Sequence, residues 1–190
     1  PGFLFDLNQV EVFKGPQSTM FGSNAMGGQI NYISNEPNNN TESNFILEVG
    51  NDNQIATGLA QNLNLTENYS SRVTLFRNTS NGFRKNLYYD LNNSNKKDES
   101  FLYFKNKFSF SNSNATIYFN ILYTKSDNGL DVWTPDNNKD YNTFTDMLGR
   151  DYQTTISPTL KTISKINNNE IITISNYSTN NMIYSFDGDW

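Results

Sequence analysis

Four aspartates in the segment 127–140 are the first candidates for chemistry in this chain of 190 residues. Carboxylate oxygens are the ligands that Ca²⁺ prefers, and four stand here: Asp127, Asp131, Asp136 and Asp140. Their spacing departs from the D-x-[DN]-x-[DN]-G pattern of a calcium loop, and the glutamate that closes such a loop is missing. We therefore interpret the segment as a solvated acidic loop and expect no metal site and no bound cofactor.

A glycine-rich segment is the second candidate, because the backbone amides of such loops can hold a phosphate group. Gly22 and Gly27 have the spacing of the two glycines in G-x-x-x-x-G-K-[ST]. Gly28 and Gln29 follow where that motif requires Lys and then Ser or Thr. The segment therefore does not fit a phosphate loop, and its glycines instead permit tight turns and close backbone approach.

The remaining composition points away from catalysis and from nucleic acid. The sequence contains no His and no Cys, which removes imidazole acid–base chemistry, thiol chemistry and most transition-metal sites. It has no G-x-S-x-G motif, and its carboxylates show no pairing signal. A net charge of -5 disfavours a nucleic-acid surface. We predict a protein that is not an enzyme, has no catalytic residue and binds no nucleic acid.

The elements that would position any site are β-strands. Between residues 55 and 65 the odd positions are mostly large and apolar, and the even positions are small or polar. Phe101 and Asn106 break an otherwise clear alternation in their segment, and the faces of 170–186 cannot be assigned. The same alternation, clear or faint, marks 45–49, 69–75, 102–110, 115–124, and 151–166 with an interruption at Pro158.

Short and long connections alternate between these strands. Three-residue breaks stand at 66–68, 112–114 and 167–169, and far longer ones at 79–99 and 126–150. Tight turns at one rim and long loops at the other are typical of outer-membrane barrels, whose strands cross with about 9–11 residues each. A mean hydropathy of -0.67 does not exclude this architecture. A soluble antiparallel sheet would also alternate, but it gives no reason for the unequal loops.

The stretch 10–34 carries the most specific motif of the chain. It reads VEVFKGPQSTMFGSNAMGGQINYIS, in which Gly15-Pro16 ends one β-branched strand and a glycine-rich turn leads to another. The stretch closely resembles the C-terminal end of the plug domain of TonB-dependent outer-membrane receptors. In that family a V-E-V-x-[KR]-G-P strand leads through S-x-x-[FY]-G-x-x-A-x-G-G to a strand of the I-N-x-I type. The matching structural or gating residues are Lys14, Gly15, Pro16, Gly22, Gly27 and Gly28.

This resemblance implies an all-β fold with the end of a plug at 1–37 and the first part of a transmembrane antiparallel barrel at 38–190. The sequence holds about seven strands, and seven strands cannot enclose a plug. The resemblance implies a complete barrel of about 22 strands, of which these would be the first. The segment 41–49 would run outward, which places the three-residue turns in the periplasm and the long loops outside. The sequence is then a fragment that lacks the signal peptide and the TonB box.

The resemblance also implies a function. A receptor of this type sits in the outer membrane of a Gram-negative bacterium, contacts its lipid, and imports a scarce ligand with energy transmitted by TonB. We expect a ferric siderophore or another iron complex. Lys14 would pair with barrel carboxylates and hold the plug. A glycan or cobalamin importer of the same family, and a soluble surface domain that binds glycans, remain alternatives.

The acidic segment 127–138 also resembles the third external loop of many such receptors. Residues that would contact the ligand there are Asp131, Trp133, Asp136 and Tyr141. Aromatic residues near strand ends fit the aromatic girdle of a barrel equally well, among them Tyr88, Tyr89, Tyr123, Trp133 and Tyr152. The sequence leaves both interpretations of Trp133 open.

Overall fold

The chain forms two compact units, residues Pro1–Glu36 and Pro37–Trp190, each described by itself. The first matches in extent the segment expected to end a plug, and that assignment stays a prediction. The structure is a computed structural model that describes residues 4–22, 25–110, 112, 114–131, 133–134 and 139–188.

The first unit is a β-hairpin. Strands β1 (Leu7–Lys14) and β2 (Gly28–Ser34) pair antiparallel, with Val12 opposite Ile30 and Lys14 opposite Gly28. Their connection contains α1 (Ser18–Phe21), a four-residue helical turn that the strand-and-turn pattern did not predict. The amide of Gln17 donates to the carbonyl of Ala25 at 2.8 Å and closes the connection at its base. The two strands expected around the glycine-rich turn are therefore present.

The second unit is an antiparallel meander in which each long strand pairs with the next along the chain, except that the last two both pair with the strand before them. Its long strands are β3 (Glu42–Gly50), β4 (Gln54–Thr66), β5 (Tyr69–Ser80), β7 (Lys97–Phe110), β8 (Ala115–Gly129), β10 (Arg150–Ile166), β11 (Asn169–Asn176) and β12 (Thr179–Ser185). Strands β11 and β12 follow one another along the same edge of β10, so the sheet has seven strand positions. The all-β, antiparallel fold class and the expected number of about seven strands are confirmed.

The sheet exposes its apolar side chains and buries its small and polar ones. The large apolar residues of β4 are between 38% and 52% exposed: Ile55, Leu59, Leu63 and Leu65. Three small or polar residues on the other side of β4 are at most 1% exposed: Ala56, Ala60 and Asn62. A half-buried sheet in water would do the opposite, whereas a membrane barrel turns its apolar side chains outward. We refer to the side that bears Leu59, and to the residues in register with it, as the apolar face.

The apolar face becomes polar within one row toward the long loops. One row of directly paired residues is apolar: Leu59, Leu75, Leu102, Tyr123 and Ile156. The next row toward the long loops, in the same register, is polar and cationic: Thr57, Arg77, Ser100, Lys125 and Thr154. The strands thus continue beyond the apolar band, which shortens the two expected long loops to residues 81–96 and 130–149.

The two residues that broke the alternation in β7 have local reasons. Phe101 points to the side opposite the apolar face, is 7% exposed, and stacks on Phe76 with ring centres 5.8 Å apart. Asn106 lies on the apolar face, where its amide donates to the carbonyl of Phe119 at 3.1 Å and accepts from the hydroxyl of Tyr69 at 2.9 Å. The polar interruption is therefore satisfied by its neighbours.

Pro158 interrupts the partner strand rather than its own. Strand β10 runs through Pro158, and the break falls between β11 and β12 on the opposite side. The amide of Tyr177 donates to the Pro158 carbonyl at 3.1 Å, so the carbonyl faces this break. In an antiparallel strand the N–H and C=O of one residue point to the same side. The N–H group that proline lacks would therefore point to the break between β11 and β12. This corrects the expected interruption of 151–166, because β10 itself is continuous.

Asn62 fixes the segment that enters the sheet. Its amide donates to the carbonyl of Asn38 at 2.9 Å and also to the carbonyl of Asn40, and its oxygen accepts from the Asn38 amide at 3.2 Å. Asn62 is fully buried. The segment that contains Asn38 and Asn40 is therefore held by a specific anchor in β4.

Within the described part of the chain, no helix has the length and the apolar character that crossing a membrane requires.

Candidate functional site

The two long loops meet at one rim of the sheet. Strand β6 (Lys85–Asn86) in the first loop pairs parallel with β9 (Asn142–Thr143) in the second. The amide of Lys85 donates to the carbonyl of Tyr141 at 3.3 Å, and that of Leu87 to the carbonyl of Thr143 at 2.9 Å. The described residues of the two loops, 81–96 and 130–149, therefore form a single loop cluster.

A buried polar network lies inside the loop cluster. Oδ2 of Asp131 accepts from Asn86 Nδ2 at 3.1 Å and from Thr143 Oγ1 at 2.6 Å, and Oδ1 accepts from Thr145 Oγ1 at 3.0 Å. None of these four residues is more than 3% exposed. Through this network, side chains of the first loop bond to the second loop.

Aromatic rings cover the outside of the loop cluster. Phe83 and Tyr141 make an edge-to-face pair with centres 5.3 Å apart, and Tyr88 and Tyr89 make another at 4.9 Å. Exposed rings of this kind supply large rigid contact area for a ligand or partner. Those that expose between 46% and 64% of their surface are Phe83, Tyr88, Tyr89, Trp133, Tyr141 and Phe144.

The residues expected to contact ligand differ in their exposure to solvent. Trp133 and Tyr141 are 56% and 55% exposed on the loop cluster. Asp131 is 1% exposed with both oxygens engaged, so the structure assigns it a role inside the loops rather than at their surface. Asp136 lies outside the described residues. Ligand contact by Trp133 and Tyr141 stays a prediction.

Three members of the network had no signal in the sequence: Asn86, Thr143 and Thr145. Asn86 lies 45 residues before Asp131 in the chain. Only the pairing of β6 with β9 brings the amide and the two hydroxyls to the carboxylate.

The plug-like motif forms the end of the hairpin at which β1 and β2 are connected. Lys14 is exposed at the end of β1, and Pro16 follows a Gly15 with a φ of 83°. Gly22 ends α1 with a φ of 91°, and Gly27 directly precedes β2. A Cβ atom at Gly28 would stand 2.5 Å from the carbonyl oxygen of Phe13, which explains why glycine occupies this position. The gating role of these residues stays a prediction.

An open cleft of about 330 Å³ lies where the loop cluster meets the strands. Its charged groups are the side chains of Lys96, Asp127 and Arg150. Among the described residues, no group of three or more acidic side chains is placed to hold a metal ion. The cleft thus offers a ligand two cationic side chains and one carboxylate, together with hydrogen-bonding groups.

An ion pair fastens the strands that flank the second loop. Arg150 donates from Nε to Asp127 Oδ1 at 2.8 Å and from Nη2 to Oδ2 at 2.9 Å, and its guanidinium carbon lies 4.7 Å from the ring centre of Tyr152. Both residues stand beyond the cationic row that ends the apolar band. The hydrogen bonds from Arg150, with smaller contributions from the charges of Arg150, Lys96 and Lys125, lower the pKa of Asp127.

We expect this pair to make the protein less stable in acid. Because the folded pKa of Asp127 lies below its unfolded value, the pair stabilises the fold above a pH of about 4 and loses its effect as pH falls through the folded pKa. Asp127→Asn should lower the urea midpoint of the full-length protein at pH 7 and have a smaller effect at a pH of about 2.5. Asp140→Asn, which makes the same charge change at an exposed position of the second loop, is the control. An equal effect of Asp127→Asn at both pH values would contradict this assignment.

Comparison with solved structures identifies the fold. The chain is similar to the ferric yersiniabactin uptake receptor FyuA from Yersinia pestis, with a TM-score of 0.87 and 18% identity over 96% of this chain and 30% of that one. It is similar to the ferric-catecholate import receptor Fiu from K12 E. coli, with a TM-score of 0.78 and 22% identity over 95% of this chain and 27% of that one. The siderophore receptor PiuA from Acinetobacter baumannii gives a TM-score of 0.75 and 19% identity over 95% and 27%. No family model matches the sequence.

The fold is therefore that of part of a TonB-dependent siderophore receptor, and the resemblance noted in the sequence is confirmed at the level of the fold. The chain spans less than a third of the length of each of the three receptors.

Proposed function

We propose that this chain is part of a TonB-dependent outer-membrane receptor that imports a ferric siderophore or another iron complex. The observation that carries the proposal is a seven-position antiparallel sheet that exposes large apolar side chains and buries Ala56, Ala60 and Asn62. Such a sheet is stable where lipid covers the apolar face. Residues 1–37 are then the end of the plug, and 38–190 the first part of the barrel in the outer membrane of a Gram-negative bacterium.

The choice of an iron complex is supported by the three structural neighbours, which are named for ferric yersiniabactin, ferric catecholates and siderophores. All three are receptors, which favours transport over enzymatic chemistry. The loop cluster offers exposed rings, including Trp133 and Tyr141, and a cleft with the cationic side chains of Lys96 and Arg150. Aromatic and cationic groups together suit a large anionic iron chelate.

The test is growth on iron complexes. The full-length gene is expressed in a Gram-negative host that lacks its own siderophore receptors, and the iron-starved cells are supplied with ferric catecholate, ferric hydroxamate or ferric yersiniabactin. We expect growth with at least one complex, and loss of that growth when tonB is deleted. A surface-exposed receptor that supports growth with none of the iron complexes would overturn the proposed substrate class.

The same cells and the purified full-length protein also test two alternative functions. Uptake of cobalamin or a glycan without uptake of iron would keep the receptor and replace its ligand. A soluble surface domain that binds glycans predicts a purified full-length protein that stays dispersed without detergent. The exposed apolar face argues against that behaviour, because contiguous apolar surface in water causes aggregation.

Lys14 is expected to hold the plug. Lys14→Glu in the full-length receptor should replace attraction to barrel carboxylates by repulsion and increase the permeability of cells to large antibiotics. Lys14→Arg, which keeps the charge and the [KR] motif, is the matched control. Unchanged antibiotic sensitivity of Lys14→Glu cells at equal expression would count against the latch.

A further inference from the structure

We propose that Asp131 is a positioning residue that joins the two long loops into one preformed ligand-binding platform. The inference rests on the proposed function, since it concerns how the ligand-binding loops of that receptor are held. Asp131 follows the end of β8 by two residues and lies at the base of the second loop. Its neighbour Leu130 donates its amide to the carbonyl of Gly149 at 3.0 Å, which closes that base.

The carboxylate bridges segments that are remote in the chain. Asn86 lies 45 residues before Asp131, while Thr143 and Thr145 lie 12 and 14 residues after it. All three donate to the carboxylate, two of them to Oδ2 and one to Oδ1. The acidic side chain is thus the common acceptor for both loops.

Asn86 is the second centre of the network. Its Nδ2 also donates to the carbonyl of Thr145 at 2.9 Å, and its Oδ1 accepts from the amide of Tyr89 at 2.9 Å. Asn86 and Thr143 are fully buried. A fully satisfied buried network specifies one arrangement of the groups it joins, because each alternative leaves a donor or acceptor without a partner.

Loss of the carboxylate therefore has a defined cost. Bonds that donate to an ionised carboxylate are stronger than neutral ones, and a buried donor left without an acceptor destabilises the structure around it. Asp131→Asn keeps the shape of the side chain but places an NH₂ group against donors. The Thr145 hydroxyl can turn to accept from that NH₂ group, but the network then has lost its charge and one acceptor oxygen, so the bonds that join the loops are weaker.

The ligand-facing rings depend on this arrangement. Tyr89 in the first loop donates its hydroxyl to the carbonyl of Asp146 in the second, and Phe83 packs edge-to-face on Tyr141 across the same boundary. Rings that are fixed before binding lose less conformational entropy when a ligand arrives. Asp131 thus acts on ligand binding without touching the ligand.

The test measures hydrogen exchange in the full-length receptor in detergent, with no ligand added. The reporters are the amides of Lys85 and Leu87, which bond across the loops, and the amides of β7 and β8 report the sheet. We expect Asp131→Asn to accelerate exchange at the two reporters at least about tenfold, and by a clearly larger factor than in the sheet. Asp140→Asn, an exposed position with the same charge change, should leave all rates unchanged.

A second variant keeps the test decisive if Asp131→Asn does not fold. Thr143→Val removes one donor to the carboxylate and should accelerate the same two amides by a smaller factor. Wild-type exchange at Lys85 and Leu87 in Asp131→Asn, or in Thr143→Val where only that variant folds, overturns the proposal. Since this readout needs no transport, its failure is distinct from failure of the growth test.

Discussion

Leu160→Arg is expected to destabilise the full-length protein in a bilayer by about 2–4 kcal/mol. Leu160 is 44% exposed near the middle of β10, on the apolar face, with Phe119 directly opposite on β8 and Ser175 on β11. An arginine there must bring its charge into hydrocarbon or distort the bilayer around it. Urea unfolding in phospholipid vesicles measures the difference from wild type.

The control for this prediction lies on the same strand and the same face. Thr154 stands six residues nearer the long loops, in the cationic row opposite Lys125. Thr154→Arg should cost no more than about 1 kcal/mol, since the site lies beyond the apolar band and only the Lys125 charge opposes it. In a soluble protein, arginine at the half-exposed Leu160 would change stability by only about 0.5 kcal/mol. Equal costs for the two variants would therefore reject a lipid-covered face.

The two faces of the sheet explain how far the sequence predicts the fold. Along β4 the exposed and the buried positions differ in residue type, so the sequence itself indicates that Leu59 and Ala60 lie on opposite sides. Beyond the apolar band both faces meet polar surroundings, and β8 continues through Ser126 and Asp127 without alternation. The ends of the long strands were for that reason read as loop.

Two other features of the fold cannot be predicted from the local sequence pattern. Pro158 was visible as an interruption, but which strand it breaks depends on the direction of its carbonyl. The helical turn Ser18–Phe21 occupies a stretch whose motif indicated only turns. Local sequence carries little information on either point, because the decisive hydrogen bonds join residues that are distant or were classed as connection.

The loop cluster shows the same limit more sharply. Asp131 was singled out by its charge and its loop, and it does occupy a defining position there. The sequence does not predict whether the Asp131 side chain is buried or exposed, because its burial depends on a hydrogen bond from Asn86 in the other loop. Trp133 and Tyr141, whose rings are exposed, keep the role expected of them as a prediction.

Gly28→Ala is expected to destabilise the β1–β2 hairpin by about 1–3 kcal/mol. Gly28 has a φ of 139°, which side chains rarely adopt, and its Cβ would stand 2.5 Å from the backbone oxygen of Phe13. Because a backbone atom cannot move aside without disturbing the strand pairing, β1 and β2 must separate at this end. Hydrogen exchange of the strand amides around Phe13 and Ile30 in the full-length protein measures the loss.

Gly27→Ala is the matched control, since the neighbouring glycine has no atom within 4 Å of the added Cβ. It should leave the exchange of the hairpin amides within a factor of about two, as expected for a change at an unconstrained site. The same rates in both variants would show that the Phe13 contact does not constrain the hairpin. Lys14 pairs directly with Gly28, so opening this end also displaces the proposed latch. Gly28→Ala should then raise antibiotic permeability in the same direction as Lys14→Glu, although it leaves the lysine charge in place.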